Sequence, residues 1–242
     1  HQGIGRKMSE QPHTLAIDIG GTGLKATVLD ETGKELVERV RIDTPHPCPP
    51  NLLVDKLVEL VAPLPTYDRV SVGFPGVVRK GRTITAPHFG NALFHGFPLA
   101  ERLSTRLGKP LRILNDAEVQ GLGVIKGEGI EFVLTLGTGA GTAIFRDGEV
   151  MAHLELSQHP IHKDMTYDEY LGDAELKRIG VKKWRKHVHR AIGLIQTLVN
   201  CDHLYVGGGN ADKLDGIPVG VSIVSNEAGL TGGIRLWSIG YV

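Results

Sequence analysis

Two cysteines in 242 residues give this chain no disulfide framework and no cysteine-based metal site. Cys48 sits in the proline-rich PHPCPP stretch and Cys201 follows a predicted helix, so neither belongs to a paired spacing. That usage fits a reducing compartment, and a cytoplasmic location is expected. Net charge is equally lacking, with 27 Lys and Arg against 27 Asp and Glu. The balance excludes a general attraction to nucleic acid or to an anionic membrane, and neither is expected as a partner. No apolar run approaches the length of a transmembrane helix, and the opening HQGIGRK lacks the hydrophobic centre of a secretory signal. Those first residues read as a vector-derived leader, with the native chain expected to start at Met8 in MSEQPH. The glycine-rich segment that follows is neither a GxxxxGKS/T phosphate loop nor the spaced GxGxxG fingerprint, which argues against a nicotinamide dehydrogenase.

What is present is 41% hydrophobic and 22% charged, enough for two modest α/β domains or one large one. From Thr14, TLAIDIGGTGLKATVLDETGKELVERVRI sets two apolar, β-branched runs around glycines and adds a third alternating run after the DETG turn. The pattern predicts strand, tight loop, strand, turn and strand. TPHPCPP should be irregular, because its prolines remove ladder donors. Leu53, Leu57, Leu60 and Leu64 fall at helical spacing, with Pro63 and Pro65 marking the helix end. RVSVGFPG reads as a short central strand, and PLAERLSTRLG as a helix with Leu99, Leu103 and Leu107 on one face and Gly108 as its C-cap. LRIL is a strand that runs directly into Asn115 and Asp116, and in an open α/β sheet ligands collect beyond the carboxyl ends of strands. Farther on, Trp184, Val188, Ile192, Ile195 and Val199 mark a helical face, followed by the strand HLYV and a glycine-rich end with a short strand and a short helix.

One pattern recurs. Gly21-Thr22-Gly23 is followed by LKATVLDETG, and Gly137-Thr138-Gly139 by AGTAIFRDG, each a glycine–threonine turn between apolar strands. Two related halves facing a common cleft are therefore expected, an N-terminal α/β domain at 8–116 and a C-terminal one at 117–242, with terminal residues packing back on the first. Glycine lets backbone N–H groups approach oxygen-rich ligands. Gly20, Gly21, Thr22 and Gly23 with Lys25, and Gly137, Thr138 and Gly139, are accordingly the candidate phosphate-binding residues, although Lys25 also suits a solvated strand position. Asp18 either supports Mg²⁺ through water or caps the loop. Asp116 is the candidate general base and Asn115 its neighbour on the same substrate; both also suit a helix cap before AEVQGLG, and the roles can coexist.

Asn91 in HFGNALF suits sugar hydroxyls, while Phe89, Phe94 and Phe97 either wall the cleft or pack beneath the loop. Glu155 can accept hydrogen bonds from vicinal hydroxyls, with Gln158 or His159 on the complementary side. His153, Glu155, His159 and His162 also invite a Zn²⁺ reading, against which a histidine-rich surface loop is the simpler account. Lys182, Lys186 and Arg190 share a helical face opposite Trp184 and Val188; such a face is usually only solvated, but it can meet a long polyanion if it borders the phosphate cleft.

Taken together, DIGGTGLKATVLD, GNALF, NDAE, LTLGTGAGTAIF and YVGGGNADKL, in this order between Leu15 and Trp237, resemble the ROK sugar-kinase family and, within it, the polyphosphate glucokinase branch. The resemblance implies a two-domain actin-like, ribonuclease H-like α/β fold with an interdomain cleft that closes around sugar. It implies transfer of a phosphoryl group from polyphosphate, ATP or both to the 6-hydroxyl of glucose, with Mg²⁺ assisting, and a homodimeric assembly; a broader hexose kinase also accepting mannose is the alternative substrate reading. By the same resemblance Asp18 acts on Mg²⁺ through water, Asp116 takes the catalytic-base position, and Asn91, Asn115 and Glu155 bind sugar. Gly207, Gly208 and Gly209 lie where a nucleotide base or ribose is approached. ELSQ stands where the family has ExGH, so Gln158 replaces the usual histidine and His159 comes one position late. The family's cysteine-rich zinc motif is absent, as in the polyphosphate branch, and no structural zinc is expected. The alternative is a catalytically weak or inactive sugar-binding regulator. ROK repressors, however, resemble kinases joined to an N-terminal helix-turn-helix domain, and only a short tail precedes Leu15.

Overall fold

The computed structural model describes residues 11–241. The expected native start at Met8, and with it the first domain boundary, lies outside the described residues. Thr14–Ile19 (β1), Gly23–Leu29 (β2), Val40–Asp43 (β3), Arg69–Phe74 (β4) and Leu111–Asn115 (β5) form one sheet in the order β3-β2-β1-β4-β5. Ile130–Leu136 (β6), Ala140–Arg146 (β7), Glu149–Val150 (β8), His203–Gly207 (β9) and Val221–Ile223 (β10) form a second in the order β8-β7-β6-β9-β10. In each, three antiparallel strands are continued by two parallel ones. The glycine–threonine repeat is thus one hairpin used twice, β1–β2 and β6–β7. The third strand is shorter than its alternating run: before Val40 the chain makes only an isolated bridge from Glu35 to Leu29.

Alternation along β1 sorts its side chains. Leu15, Ile17 and Ile19 are buried against helices α1 (Pro50–Val61) and α2 (Leu99–Leu107), in a core with Leu53, Leu57 and Leu103, while Ala16 and Asp18 face the other way, toward the second half. Helix α1 stops at Val61, ahead of Pro63, and α2 closes on Gly108 at φ +65°. Helix α3 (Asp116–Leu122) follows β5 without a loop. Its capping box has the Asn115 side chain accepting from Ala117 N at 3.0 Å and Glu118 accepting from Asn115 N at 3.3 Å.

In the second half, short helices α4 (Tyr167–Leu171) and α5 (Asp173–Ile179) precede α6 (Val181–Val199), which buries Trp184, Val188, Ile192 and Ile195 against Phe132, Leu134, Leu204 and Val206. The opposite face of this sheet, with Val133, Ala143 and Phe145, packs on α3 through Ala117 and Leu122. The chain end returns to the first sheet. The Ser71 hydroxyl donates to Gly233 O, Trp237 Nε1 donates to Ser71 Oγ at 2.9 Å, and Ile113 N donates to the Tyr241 hydroxyl at 3.1 Å. A terminal helix, α7 (Gly232–Arg235), lies so close to α3 that a side chain at Gly232 would overlap the Val119 carbonyl.

Trp184 is fully buried and its Nε1 donates to Leu171 O at 2.9 Å, so one side chain ties α6 to α4. Trp184→Ala is expected to cost about 3–5 kcal/mol in urea unfolding; a loss below about 1 kcal/mol would show that this contact does not organise the second half.

Candidate active site

Between the halves lies a cleft of about 490 Å³. Asp18, near the end of β1, and Asp116, at the junction of β5 and α3, form its floor. Gly73 on β4 lies between them: a methyl group there would be 3.2 Å from the Asp116 Cα and 3.9 Å from Asp18 Oδ1, so glycine keeps this approach open. Burial raises the Asp116 pKa from 3.8 to about 8, the negative charge of Asp18 and more weakly that of Glu155 add to the rise, and the Ala117 N–H and His153 oppose it. Asp18 is walled by protein except toward the cleft, where it meets solvent. Burial raises its pKa against the pull of Lys25 and Arg39.

Both glycine–threonine turns open into this cleft, and Gly20, Gly21, Thr22, Gly23, Gly137, Thr138 and Gly139 all line it. Gly20 N donates to Gly23 O at 2.9 Å, and Gly137 N to Gly139 O at 3.0 Å. The Thr44 hydroxyl donates to Gly20 O at 2.7 Å, and the Asp168 carboxylate on α4 accepts from Ala140 N at 2.9 Å. A side chain at Gly139 would overlap Asp168. From the first half, the His88 ring packs on Gly21 and approaches Asp168 Oδ2 to 3.9 Å, spanning the two turns. Lys25 lines the cleft opposite Asp18 in the β1–β2 register and opposite Arg41 in the β2–β3 register, and Arg39 and Arg41 line it too. Directly opposed residues share a sheet face, so a row of cations leads from Asp18 to the edge strand.

The substrate side is more selective than its motifs. Asn115 and Asp116 both line the cleft, and Asn115 is also structural: its Oδ1 caps α3 and its Nδ2 donates to Gly76 O at 3.0 Å. Asn91 does not line the cleft. It is exposed, and its Oδ1 accepts from Ala86 N at 2.8 Å, tethering the loop that delivers Pro87 and His88. Phe89 and Phe94 pack with Phe74 beneath that loop, and Phe97 meets the edge of Phe94, rather than walling the cleft. Glu155 and Gln158 line the cleft, whereas His159 is turned to solvent outside it. Burial pushes the Glu155 pKa up, but His153, Ser157 and Thr85 outweigh it and the net shift is downward.

The expectation of a histidine-rich surface loop is corrected for His153, whose side chain is only 6% exposed between Glu118 and Glu155. His159 is exposed and the His162 ring packs 5.6 Å from Tyr170, so the four residues do not converge. Among the described residues no group of three or more His, Cys, Asp or Glu is arranged to hold a metal by protein ligands alone. Gly208 and Gly209 line the cleft; Gly207, the last residue of β9, packs instead against Gln120 and Val224. Lys182, Lys186 and Arg190 are exposed on α6, on the side of the second sheet away from α3, and do not line the cleft. His88, Ser157 and Asp168 line it without having been singled out, and no local motif marks them. Arg39 and Arg41 had a signal, the period-2 spacing of ERVRI next to a strand carrying Lys25.

Comparison with known proteins follows the same outline. Polyphosphate glucokinase of Mycobacterium tuberculosis (strain CDC 1551 / Oshkosh) is 27% identical over 239 residues, covering 92% of this chain and 90% of that protein. The inorganic polyphosphate/ATP-glucomannokinase of Arthrobacter sp. strain KM matches with a TM-score of 0.82 at 28% identity, over 92% of this chain and 97% of that one. A ROK family glucokinase from Streptomyces griseus, in complex with glucose and AMPPNP, matches with a TM-score of 0.74 at 21% identity, over 93% and 98%, and speaks for the fold alone. The mixed α/β architecture expected from sequence is the one these structures share. The ROK family model matches residues 14–155, more than half of the sequence, and the chain belongs to the ROK family.

Proposed function

We propose that the chain is a glucokinase that transfers a phosphoryl group from polyphosphate, ATP or both to the 6-hydroxyl of glucose; the alternative substrate reading is a broader hexose kinase that also accepts mannose. The observation that carries this reading is Asp116, set at the carboxyl end of β5, next to β4 at the edge of the first sheet, in the cleft into which both glycine–threonine turns open. A hydroxyl nucleophile must lose its proton as the phosphoryl group arrives, and a carboxylate whose pKa lies near working pH is suited to take it. The ionised Glu155 accepts hydrogen bonds from sugar hydroxyls and Gln158 supplies a neutral donor and acceptor beside it, which orients the reacting hydroxyl toward Asp116. Backbone N–H groups of the two turns and the Lys25 ammonium receive the donor phosphates.

Mg²⁺ fits this site. A cleft carboxylate such as Asp18, beside a second acid and open to water, suits a hard cation that keeps several waters and shares the donor's phosphates. Bound there through water, Mg²⁺ would neutralise phosphate charge. Gly208 and Gly209 can admit a nucleotide, while Lys25, Arg39 and Arg41 favour any polyanionic donor. A chain reaching Lys182, Lys186 and Arg190 would have to leave the cleft and pass around the second sheet. We assign 8–116 and 117–242 to two domains that close over the sugar and exclude water, with His88 and Asp168 at the closing edges. Homodimeric assembly and cytoplasmic residence belong to the same reading. A sugar-binding regulator is the second reading, favoured by Gln158 in the place of the family's histidine.

Two measurements on Asp116→Asn test the base assignment. Glucose 6-phosphate formation with Mg²⁺ and either donor should fall by about 10²–10⁴-fold, and normal turnover by the folded variant would sink the assignment. The native pKa of Asp116 is raised, so the wild type loses stability as pH rises from 3.8 through about 8, a loss that asparagine does not share. The variant's Tm advantage in metal-free buffer should therefore grow across that range, and a pH-independent difference would contradict the raised pKa. For the donors, wild-type activity with polyphosphate should fall more steeply with added salt than activity with ATP. Glucose binding without transfer from either donor would favour the regulator.

A further inference from the structure

His153 is a buried, charged group that phosphoryl transfer itself does not require. Its Nδ1 lies 3.4 Å from Glu118 Oε1 and its Nε2 3.4 Å from Glu155 Oε1, and the ring is 6% exposed. Glu118, 5% exposed, is the capping-box residue of α3, the helix that begins with Asp116. Glu155 reaches the cleft and also accepts from the Ser157 hydroxyl at 2.9 Å, whereas His153 does not line the cleft. One ring therefore joins the start of the catalytic helix to the segment that presents Glu155.

The protonation state follows from that geometry. A neutral imidazole has one N–H and one lone pair, so in either tautomer one of the two carboxylates would face a lone pair in a buried site. Only the imidazolium offers a proton to both. Nδ1 makes no hydrogen bond of acceptable geometry, so its attraction to Glu118 is that of charge across 3.4 Å. Burial pulls the ring's pKa down, but Glu118 and Glu155 outweigh it and hold the value at about 9.

We propose that His153, as an imidazolium, is a positioning residue for sugar recognition: it holds Glu155 ionised and aimed into the cleft, and ties its placement to the helix start that carries Asp116. The proposal rests on the kinase reading for the identity of the sugar. The ionisable groups around the pair are Glu118 and Asp116 from α3, with Asp18 beyond Asp116; Thr85 and Ser157 are the neutral hydroxyl partners of Glu155. The expected charge state is therefore a single cation among acids.

The test is glucose binding by calorimetry without donor, beside steady-state kinetics, for wild type, His153→Gln and His153→Gln/Glu118→Gln. The double variant removes one of the two buried acids and so guards against a failure to fold. Both variants should weaken glucose binding about tenfold or more at neutral pH, the cost of one charge-assisted contact, while the donor KM changes less than about twofold. Glucose affinity should also gain a pH dependence on the acid side that the wild type lacks, improving as pH rises and Glu155 ionises without its cation, on top of any change that the titration of Asp116 gives to both proteins. Unchanged glucose affinity with an unchanged pH profile would overturn the proposal. So would a parallel loss of glucose and donor affinity, or a double variant that fails to fold, since either would make His153 merely structural. A wild type that binds glucose but transfers no phosphate defeats the kinase reading and leaves this test standing.

Discussion

Four carboxylates, those of Asp18, Asp116, Glu118 and Glu155, meet around the ends of β1 and β5, and the cost of holding charge there away from bulk water, sharpened at Asp116 by the charges of Asp18 and Glu155, is the constraint on which the rest of the cleft depends. Each is offset differently. Asp18 has Lys25 and Arg39 within electrostatic reach. Glu118 and Glu155 share His153. At Asp116 the Ala117 N–H and the charge of His153 do not offset burial and two neighbouring acids, so it retains a proton well above the ordinary carboxylate range. The acid with least compensation is the one proposed as base, since its charge would be best carried once a cation and substrates had arrived.

The duplicated hairpin explains how these acids come to be near one another. In both sheets the first two strands leave a glycine–threonine turn at the same end, and the sheets face each other across α3 and α7. Helix α3 is the element on which the arrangement turns. It follows β5 without a loop, starts at Asp116, is capped by Asn115 and Glu118, and packs through Ala117 and Leu122 onto the second sheet. An N-cap is worth about 1 kcal/mol to a helix. Here the cap also fixes where the cleft acid points, so the capping role expected for NDAE is present and leaves Asp116 placed for the proposed chemical one.

Much of this was legible in the sequence where the signal was local. The two hairpins, the α1 and α2 faces, Gly108 and the strand-to-helix junction at Asn115 and Asp116 all follow from period, turn chemistry and capping. What was not legible depends on residues far apart along the chain. His153 read as part of a histidine-rich loop because nothing near it in sequence shows that Glu118, on another element, closes over it. Asn91 is the polar residue of its loop by composition, yet its side chain is used by Ala86 N and the loop offers His88 to the cleft instead. The basic face of α6 was visible as a stripe, but a stripe does not reveal on which side of the second sheet the helix packs.

The central claim is that burial, with the nearby charge of Asp18 adding to it, keeps Asp116 protonated near neutral pH until positive charge enters. The direct measurement is a ¹³C NMR titration of the Asp116 side-chain carboxyl in metal-free protein, assigned with Asp116→Asn and repeated in Asp18→Asn. The account predicts a midpoint near 8 that falls when the Asp18 charge is removed. A midpoint in the ordinary carboxylate range near 3.8, indifferent to Asp18, would contradict it.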